Sequence, residues 1–182
     1  RGSCPDAAEY GMKERFSNKT AIAPTASISI ICGGSSPGIE PIAANSYTHK
    51  TLSGSFNVRN KYLKKILQKY KKDTDEVWSS ITTNQGSVSH LNFLTANEKD
   101  TFKTAFEIDQ RWIVELGADR TPHISQAQSV NIFVPADIHK KALHEIHFQA
   151  WKKGLKSLYY CRSKSIQRAE NVNNGSSTDV TK

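Results

Sequence analysis

Residues 129–161 read SVNIFVPADIHKKALHEIHFQAWKKGLKSLYYC, and this stretch decides the fold class. Ser129–Val134 predicts a strand. Pro135 closes it, Asp137 can cap a helix over Ile138–Lys153, and Gly154 ends that helix. Leu155–Cys161 then predicts a second strand. Strand, helix and strand in succession form the crossover unit of an α/β domain.

Working outward, Thr95 and Glu98 form a Thr-x-x-Glu capping box. Phe102, Ala105, Phe106, Trp112, Ile113 and Leu116 follow at helical spacing, so one long helix is expected, ended by Thr121-Pro122. Asp109 interrupts that stripe, and burial there would demand a partner such as an arginine. Asn60 can cap a helix over Lys61–Lys71, with Tyr62, Leu63, Ile66, Leu67 and Tyr70 on one face. Its lysine-rich other face reads as solvated. A short helix is expected over Thr74–Thr82. Residues 42–59 read as extended, with a bend at Ser53-Gly54-Ser55. Ala26–Cys32 alternates serine and isoleucine and reads as a strand, followed by a turn at Gly33–Gly38. From Ser163 the chain is polar and reads as a flexible tail.

The 182 residues suit about one domain. Hydrophobic residues at 37% make most of the chain globular. No run approaches the roughly 18–20 apolar residues of a membrane helix, and no secretory leader opens the sequence. Arg1 rather than Met stands first, so the sequence reads as a fragment, a split product or a processed form. Cys4, Cys32 and Cys161 are too few and too scattered for a disulfide framework, which fits a reducing cytoplasm. A net charge of +8 suits nucleic acid, phosphorylated ligands or an acidic partner, although charges of both signs are interspersed. A basic nucleic-acid-binding module lacks a recognition motif here, and the aromatics are not interleaved with the basic residues.

The chemistry-bearing patterns are sparse. The glycines at 33–38 are followed by no Lys-Ser/Thr and lack dinucleotide spacing, so they make a turn. His139, His144 and His147 lie on or near one helix, but nothing completes a ligand set; no metal site is nominated. Pro24-Thr25-Ala26-Ser27-Ile28-Ser29 is small and hydroxyl-rich, and its hydroxyls and amides can cradle a phosphate; an ordinary strand start is the alternative. Tyr159-Tyr160 reads as core or interface, or as a redox pair. A phenol with a solution pKa of roughly 10 holds its proton at neutral pH, so its oxidation removes an electron and a proton together. Adjacent residues of a regular strand point to opposite faces, so stacked rings would require a distortion.

Five segments, in order, resemble the large catalytic subunit of class I ribonucleotide reductase. Ala23-Pro24-Thr25-Ala26-Ser27 resembles that family's substrate-diphosphate loop, and Gly38-Ile39-Glu40-Pro41 the segment after it. Tyr47-Thr48 and Leu52-Ser53-Gly54-Ser55-Phe56 match the next stretch. Gln126-Ala127-Gln128-Ser129-Val130-Asn131 resembles a barrel strand. Gly154-Leu155-Lys156-Ser157-Leu158-Tyr159-Tyr160 resembles the segment with the radical-transfer tyrosines. Any one motif is weak; five in register are specific.

The resemblance implies an α/β fold made of the later strands and helices of a ten-stranded barrel over residues 1–162, with 163–182 a flexible tail. It implies that Thr25, Ala26, Ser27, Ile28 and Ser29 bind the diphosphate of a ribonucleoside diphosphate. Tyr159 and Tyr160 would pass an oxidising equivalent from a small, metal-bearing subunit toward a cysteine. Reduction to the deoxyribonucleotide would supply DNA synthesis. No cofactor would be bound by this segment, and an external dithiol such as thioredoxin or glutaredoxin would restore the thiols. The helix over Ile138–Lys153, through Ile138, Ala142, Leu143, Ile146 and Ala150, would wall the groove for the small subunit's tail. The family's radical cysteine and redox pair lie N-terminal to the matched part, and Cys4, Cys32 and Cys161 match none of them. Its C-terminal Cys-x-x-Cys is missing from the sequence. The segment would therefore need the N-terminal part of the large subunit as well as the small subunit. A non-catalytic remnant is the alternative.

Overall fold

Leu63, Leu67, Trp78, Ile81, Val88, Leu91 and Leu94 close around one another, and Tyr70, Phe93 and Phe102 pack against them. This core belongs to one of two compact units in the computed structural model, which describes residues 2–34, 36, 38–51 and 54–164. The first unit takes in residues 2–34, 36, 38–40, 110–132 and 138–162. The second takes in residues 41–51, 54–109, 133–137 and 163–164.

In the second unit, β1 (Ser46–Thr51) and β2 (Gly54–Arg59) form an antiparallel hairpin, with Ser46 opposite Arg59 and Thr51 opposite Gly54. This matches the extended reading of 42–59; Ser53 of the expected bend lies outside the described residues. Asn60 caps α3 (Lys61–Lys69), its side chain accepting from the Tyr62 and Leu63 amides. One face of α3 buries Leu63 and Leu67, while its lysines stay in solvent. α4 (Asp75–Thr83) adds Trp78 and Ile81, and the indole N–H of Trp78 donates to Asp73 at 2.8 Å. That bond is the largest cause holding the Asp73 carboxyl below its ordinary value.

Thr95 caps α5 (Ala96–Thr101) with the complete reciprocal box. The long helix expected beyond it is divided. After Phe102 the chain turns, and Thr104 donates to the Glu107 carboxylate from its amide and its hydroxyl, at 2.8 and 2.9 Å. Thr104-Ala-Phe-Glu107 is a second Thr-x-x-Glu, so a local alternative to helix competes successfully here. Asp109 is exposed in this break, so no burial cost arises.

The second unit also contains a buried polar hub. Asn45 is 1% exposed. Its amide nitrogen donates to the carbonyls of Gly86 (3.0 Å) and Phe102 (2.7 Å), and its oxygen accepts from Asn60 (2.8 Å). Asn45→Ala removes all three side-chain bonds at once, although Gly86 O still accepts from the Asn45 backbone amide. We expect it to lower the unfolding free energy by about 3 kcal/mol, read from denaturant midpoints.

In the first unit, α1 (Pro5–Glu9) precedes a segment in which Ile22 makes a parallel bridge to Gln128. α6 (Gln110–Arg120) and α7 (Lys140–Lys152) pack together, with Gly117 of α6 against Leu155. Glu115 joins the two helices, bonding Gln149 and Lys153 at 2.6 Å each. The Lys153 bond is the largest cause of the lowered Glu115 pKa. α7 starts two residues later than expected. His139, not Asp137, caps it, with Nδ1 accepting from the Lys141 amide.

Ala26–Ile31 is helical (α2), not the expected strand. The serine–isoleucine alternation misleads because it does not sort isoleucine inside from serine outside: Ile28 is 57% and Ile31 84% exposed, while Ser29 is 8% exposed. The Ser29 hydroxyl instead donates to Ala26 O at 2.7 Å and its amide to Thr25 O at 2.9 Å, closing helical turns.

The strand expected at 129–134 shrinks to β3 (Ile132–Val134); the one expected at 155–161 is displaced, since residues 155–160 are not strand and β4 covers Cys161–Ser163; β3 and β4 pair. The architecture is α/β, with two two-stranded sheets and no closed barrel among the described residues. No described helix is long and apolar enough to cross a membrane.

Candidate functional site

The hydroxyl-rich turn is built from the backbone upward. Thr25 stands at φ 51, a left-handed conformation that costs a non-glycine residue roughly 1–2 kcal/mol. Such strain is held where surrounding contacts fix it. The fixing contact is Gly38, whose amide donates to Thr25 Oγ1 at 3.0 Å. That hydroxyl therefore accepts from the protein and keeps its own proton for another acceptor. Phosphate oxygens are acceptors, so the polarity suits them.

The five nominated residues are not equivalent. Ser27 is exposed at the start of α2, with no hydroxyl partner among the described residues. Ser29 is 8% exposed, and both its hydroxyl and its amide are already donating within the turn. Thr25 and Ser27 can offer hydroxyl donors outward; Ser29 closes the turn. Ala26 adds no bulk between backbone and ligand, and the exposed Ile28 has an apolar side chain with no donor.

Sequence reasoning nominated neither Glu40 nor Asn131 as a site residue. Glu40 is 4% exposed, and its Oε1 accepts from the amide of Asn131. Its Oε2 lies beneath Gly38, where a Cβ would come within 2.7 Å of it. A lone carboxylate in Gly38-Ile39-Glu40-Pro41 and a lone amide within SVNIFV were the available signals.

Asn131 also faces the tyrosine pair. Tyr159 donates its amide to Val130 O at 2.8 Å, and Tyr160 O accepts from the Ile132 amide at 2.9 Å. In a regular parallel ladder a single residue would make both of these bonds. Two residues here oppose one, which is a bulge. It brings the two rings into contact without stacking them: the Tyr159 and Tyr160 ring centroids are 4.2 Å apart, and the planes are inclined at 58°. Both rings are about half exposed, at 47% and 53%, rather than core. A side-chain hydrogen bond with Tyr160 is the largest cause that raises the Tyr159 phenol above its ordinary value. Repulsion from Tyr160 and partial burial add to it, and Arg162 opposes it. The Arg162 guanidinium carbon lies 5.3 Å from the Tyr160 ring centre.

The helix expected to face a partner turns its stripe differently. Ile146 and Ala150 are buried within the first unit and Leu143 is half-buried. The outward stripe is His144, Phe148 and Trp151, whose rings succeed one another at 5.9 and 5.5 Å. His147 Nδ1 meets Leu143 O at 2.8 Å. Among the described residues no three His, Cys, Asp or Glu side chains gather as a metal site would require.

The chain is similar to known proteins along most of its length. The family model for the ribonucleotide reductase barrel domain matches residues 5–161. The chain is 50% identical over 176 residues to the ribonucleoside-diphosphate reductase large subunit of Invertebrate iridescent virus 6, covering 94% of this chain and 18% of that protein. It is 46% identical over 181 residues to the large subunit of Invertebrate iridescent virus 3, covering 98% of this chain and 28% of that one. Among solved structures, the class Id ribonucleotide reductase alpha subunit of Actinobacillus ureae is similar. Its TM-score is 0.76 at 38% identity, over 90% of this chain and 29% of that one. The chain thus spans less than a third of the length of these relatives.

Proposed function

The chain belongs to the ribonucleotide reductase barrel-domain family, and from that premise we propose that it is the C-terminal segment of a catalytic subunit that reduces ribonucleoside diphosphates. Residues 1–162 supply the later strands and helices of a ten-stranded barrel, which the N-terminal part of the large subunit completes. The observation that carries this reading is that one match spans both the Thr25 turn and the tyrosine pair.

Thr25 and Ser27 donate hydroxyl hydrogen bonds to the diphosphate, joined by amides at the start of α2. Tyr159 and Tyr160 relay the radical. A side-chain hydrogen bond with Tyr160 is the largest cause raising the Tyr159 phenol, so that phenol holds its proton at neutral pH. Once Tyr160 has lost an electron and a proton, the neighbouring Tyr159 can return both to it, and the vacancy moves to Tyr159. The radical originates on a small, metal-bearing subunit and ends on a cysteine of the N-terminal part. A dithiol protein, thioredoxin or glutaredoxin, resets the cysteines. The outward ring stripe of α7 lines the groove for the small subunit's tail, and the reaction takes place in the cytoplasm.

The test is reconstitution. The complete large subunit carrying this segment, with the small subunit and a dithiol, is expected to convert nucleoside diphosphates to deoxynucleoside diphosphates; no turnover would refute the reading. Within that assay, Thr25→Ala is expected to raise KM about ten-fold, the scale of one hydrogen bond to a charged group. Ser29→Ala is expected to give the smaller KM change, because its hydroxyl faces inward. An equal rise in both would contradict the division of roles.

A further inference from the structure

Building on the diphosphate reading, we propose that Glu40 is the positioning residue of the diphosphate turn, holding Thr25 through Gly38 and anchored at Asn131, just before β3. Glu40 is almost wholly buried, yet among the described residues only one of its carboxylate oxygens has a partner. Oε1 accepts from the Asn131 amide, and the Glu40 carbonyl accepts from the Ser36 hydroxyl. Oε2 has none among the described residues, and neither has the buried Oδ1 of Asn131.

A carboxylate kept inside at that cost is placed by its surroundings. Its position fixes residue 38. With Oε2 beneath the chain, a Cβ on residue 38 would lie 2.7 Å from that oxygen and 3.6 Å from the Pro24 carbonyl. Gly38 accordingly adopts φ +84. In that conformation its amide reaches Thr25 Oγ1, which leaves the Thr25 proton facing outward. The far end of the device is tied to the tyrosine segment, because Val130 and Ile132 on either side of Asn131 bond Tyr159 and Tyr160. Glu40 touches no reacting atom in this scheme; it acts through Gly38 on Thr25.

The experiment uses the complete large subunit with its small subunit. Glu40→Ala is expected to raise KM for a nucleoside diphosphate about ten-fold with kcat little changed, and to leave binding of the phosphate-free nucleoside alone. Glu40→Gln keeps an Oε1 that can accept from Asn131 and is expected to restore most of the loss. Gly38→Ala, which pushes on Oε2, is expected to reproduce the Glu40→Ala shift. An unchanged KM in Glu40→Ala and Gly38→Ala, or a folded Glu40→Gln as impaired as Glu40→Ala, overturns the proposal. Should Glu40→Ala fail to fold, Gly38→Ala and Glu40→Gln decide. Should the wild-type subunit bind nucleoside and diphosphate alike, the diphosphate reading falls instead. Amide exchange across residues 24–40 still judges Glu40: faster exchange in Glu40→Ala supports it, and unaltered exchange refutes it.

Discussion

Tyr160→Phe is expected to reduce nucleoside-diphosphate reduction by the assembled enzyme about 1,000-fold or more, equivalent to ~4 kcal/mol or more of barrier. Phenylalanine keeps the ring but has no O–H to give up, so the relay loses both the proton and the acceptor for the Tyr159 proton. Substrate binding should be untouched, because the diphosphate turn lies elsewhere in the first unit. Stability should scarcely change, since Tyr160 is 53% exposed. The substitution also has a signature that needs no turnover. Removing the bond that most raises the Tyr159 phenol should let its pKa fall toward the ordinary value near 10. Titration of ring-labelled tyrosine by NMR checks this. Retained turnover would end the relay role, whereas an unmoved Tyr159 pKa would mean that the side-chain bond is not what raises it.

Gly86→Ala is expected to destabilise the second unit by about 4 kcal/mol, beyond the usual range of point substitutions. Gly86 lies at φ +83, where an added Cβ is strained whatever the space. The space is also taken: that Cβ would fall 2.3 Å from Ala44 Cβ and 2.6 Å from Ala44 Cα. Ala44 is backbone-adjacent to Asn45, whose amide and side chain both bond Gly86 O. Strain, overpacking and loss of the hub therefore coincide. Denaturant unfolding of Gly86→Ala should show a lower midpoint than Asn45→Ala; equal midpoints would mean that Ala44 moves aside freely.

These two residues mark where the sequence was and was not legible. The Asn60 cap and the Thr95–Glu98 box were readable because their partners lie within a few positions; the helix expected over Thr74–Thr82 forms one residue later, over Asp75–Thr83. The Asn45 hub was not, because its carbonyl partners stand 41 and 57 residues away. The helix at Ala26–Ile31 was misread because two-residue alternation means a strand only when one face is buried. The break at Thr104 was visible as a repeated motif, but the apolar spacing ran straight through it. At the candidate site, the residues of the turn and the tyrosine pair could be named from their segments. Their division of labour could not, since it depends on which hydroxyl already donates. Glu40 and Asn131 gain meaning only when the fold joins positions 91 apart.

The two-for-one pairing at Tyr159 and Tyr160 makes ring contact a matter of parity. Side chains along a strand fall on even and odd sides, and the doubled residue shifts the count by one so that two neighbours share a side. Deleting Ser157 would preserve every ring and every charge nearby. If the shortened chain re-registered as a regular strand, the pair would separate onto opposite faces while both tyrosines remained. Composition alone does not report whether the two rings meet; the count of residues between Gly154 and Cys161 bears on it.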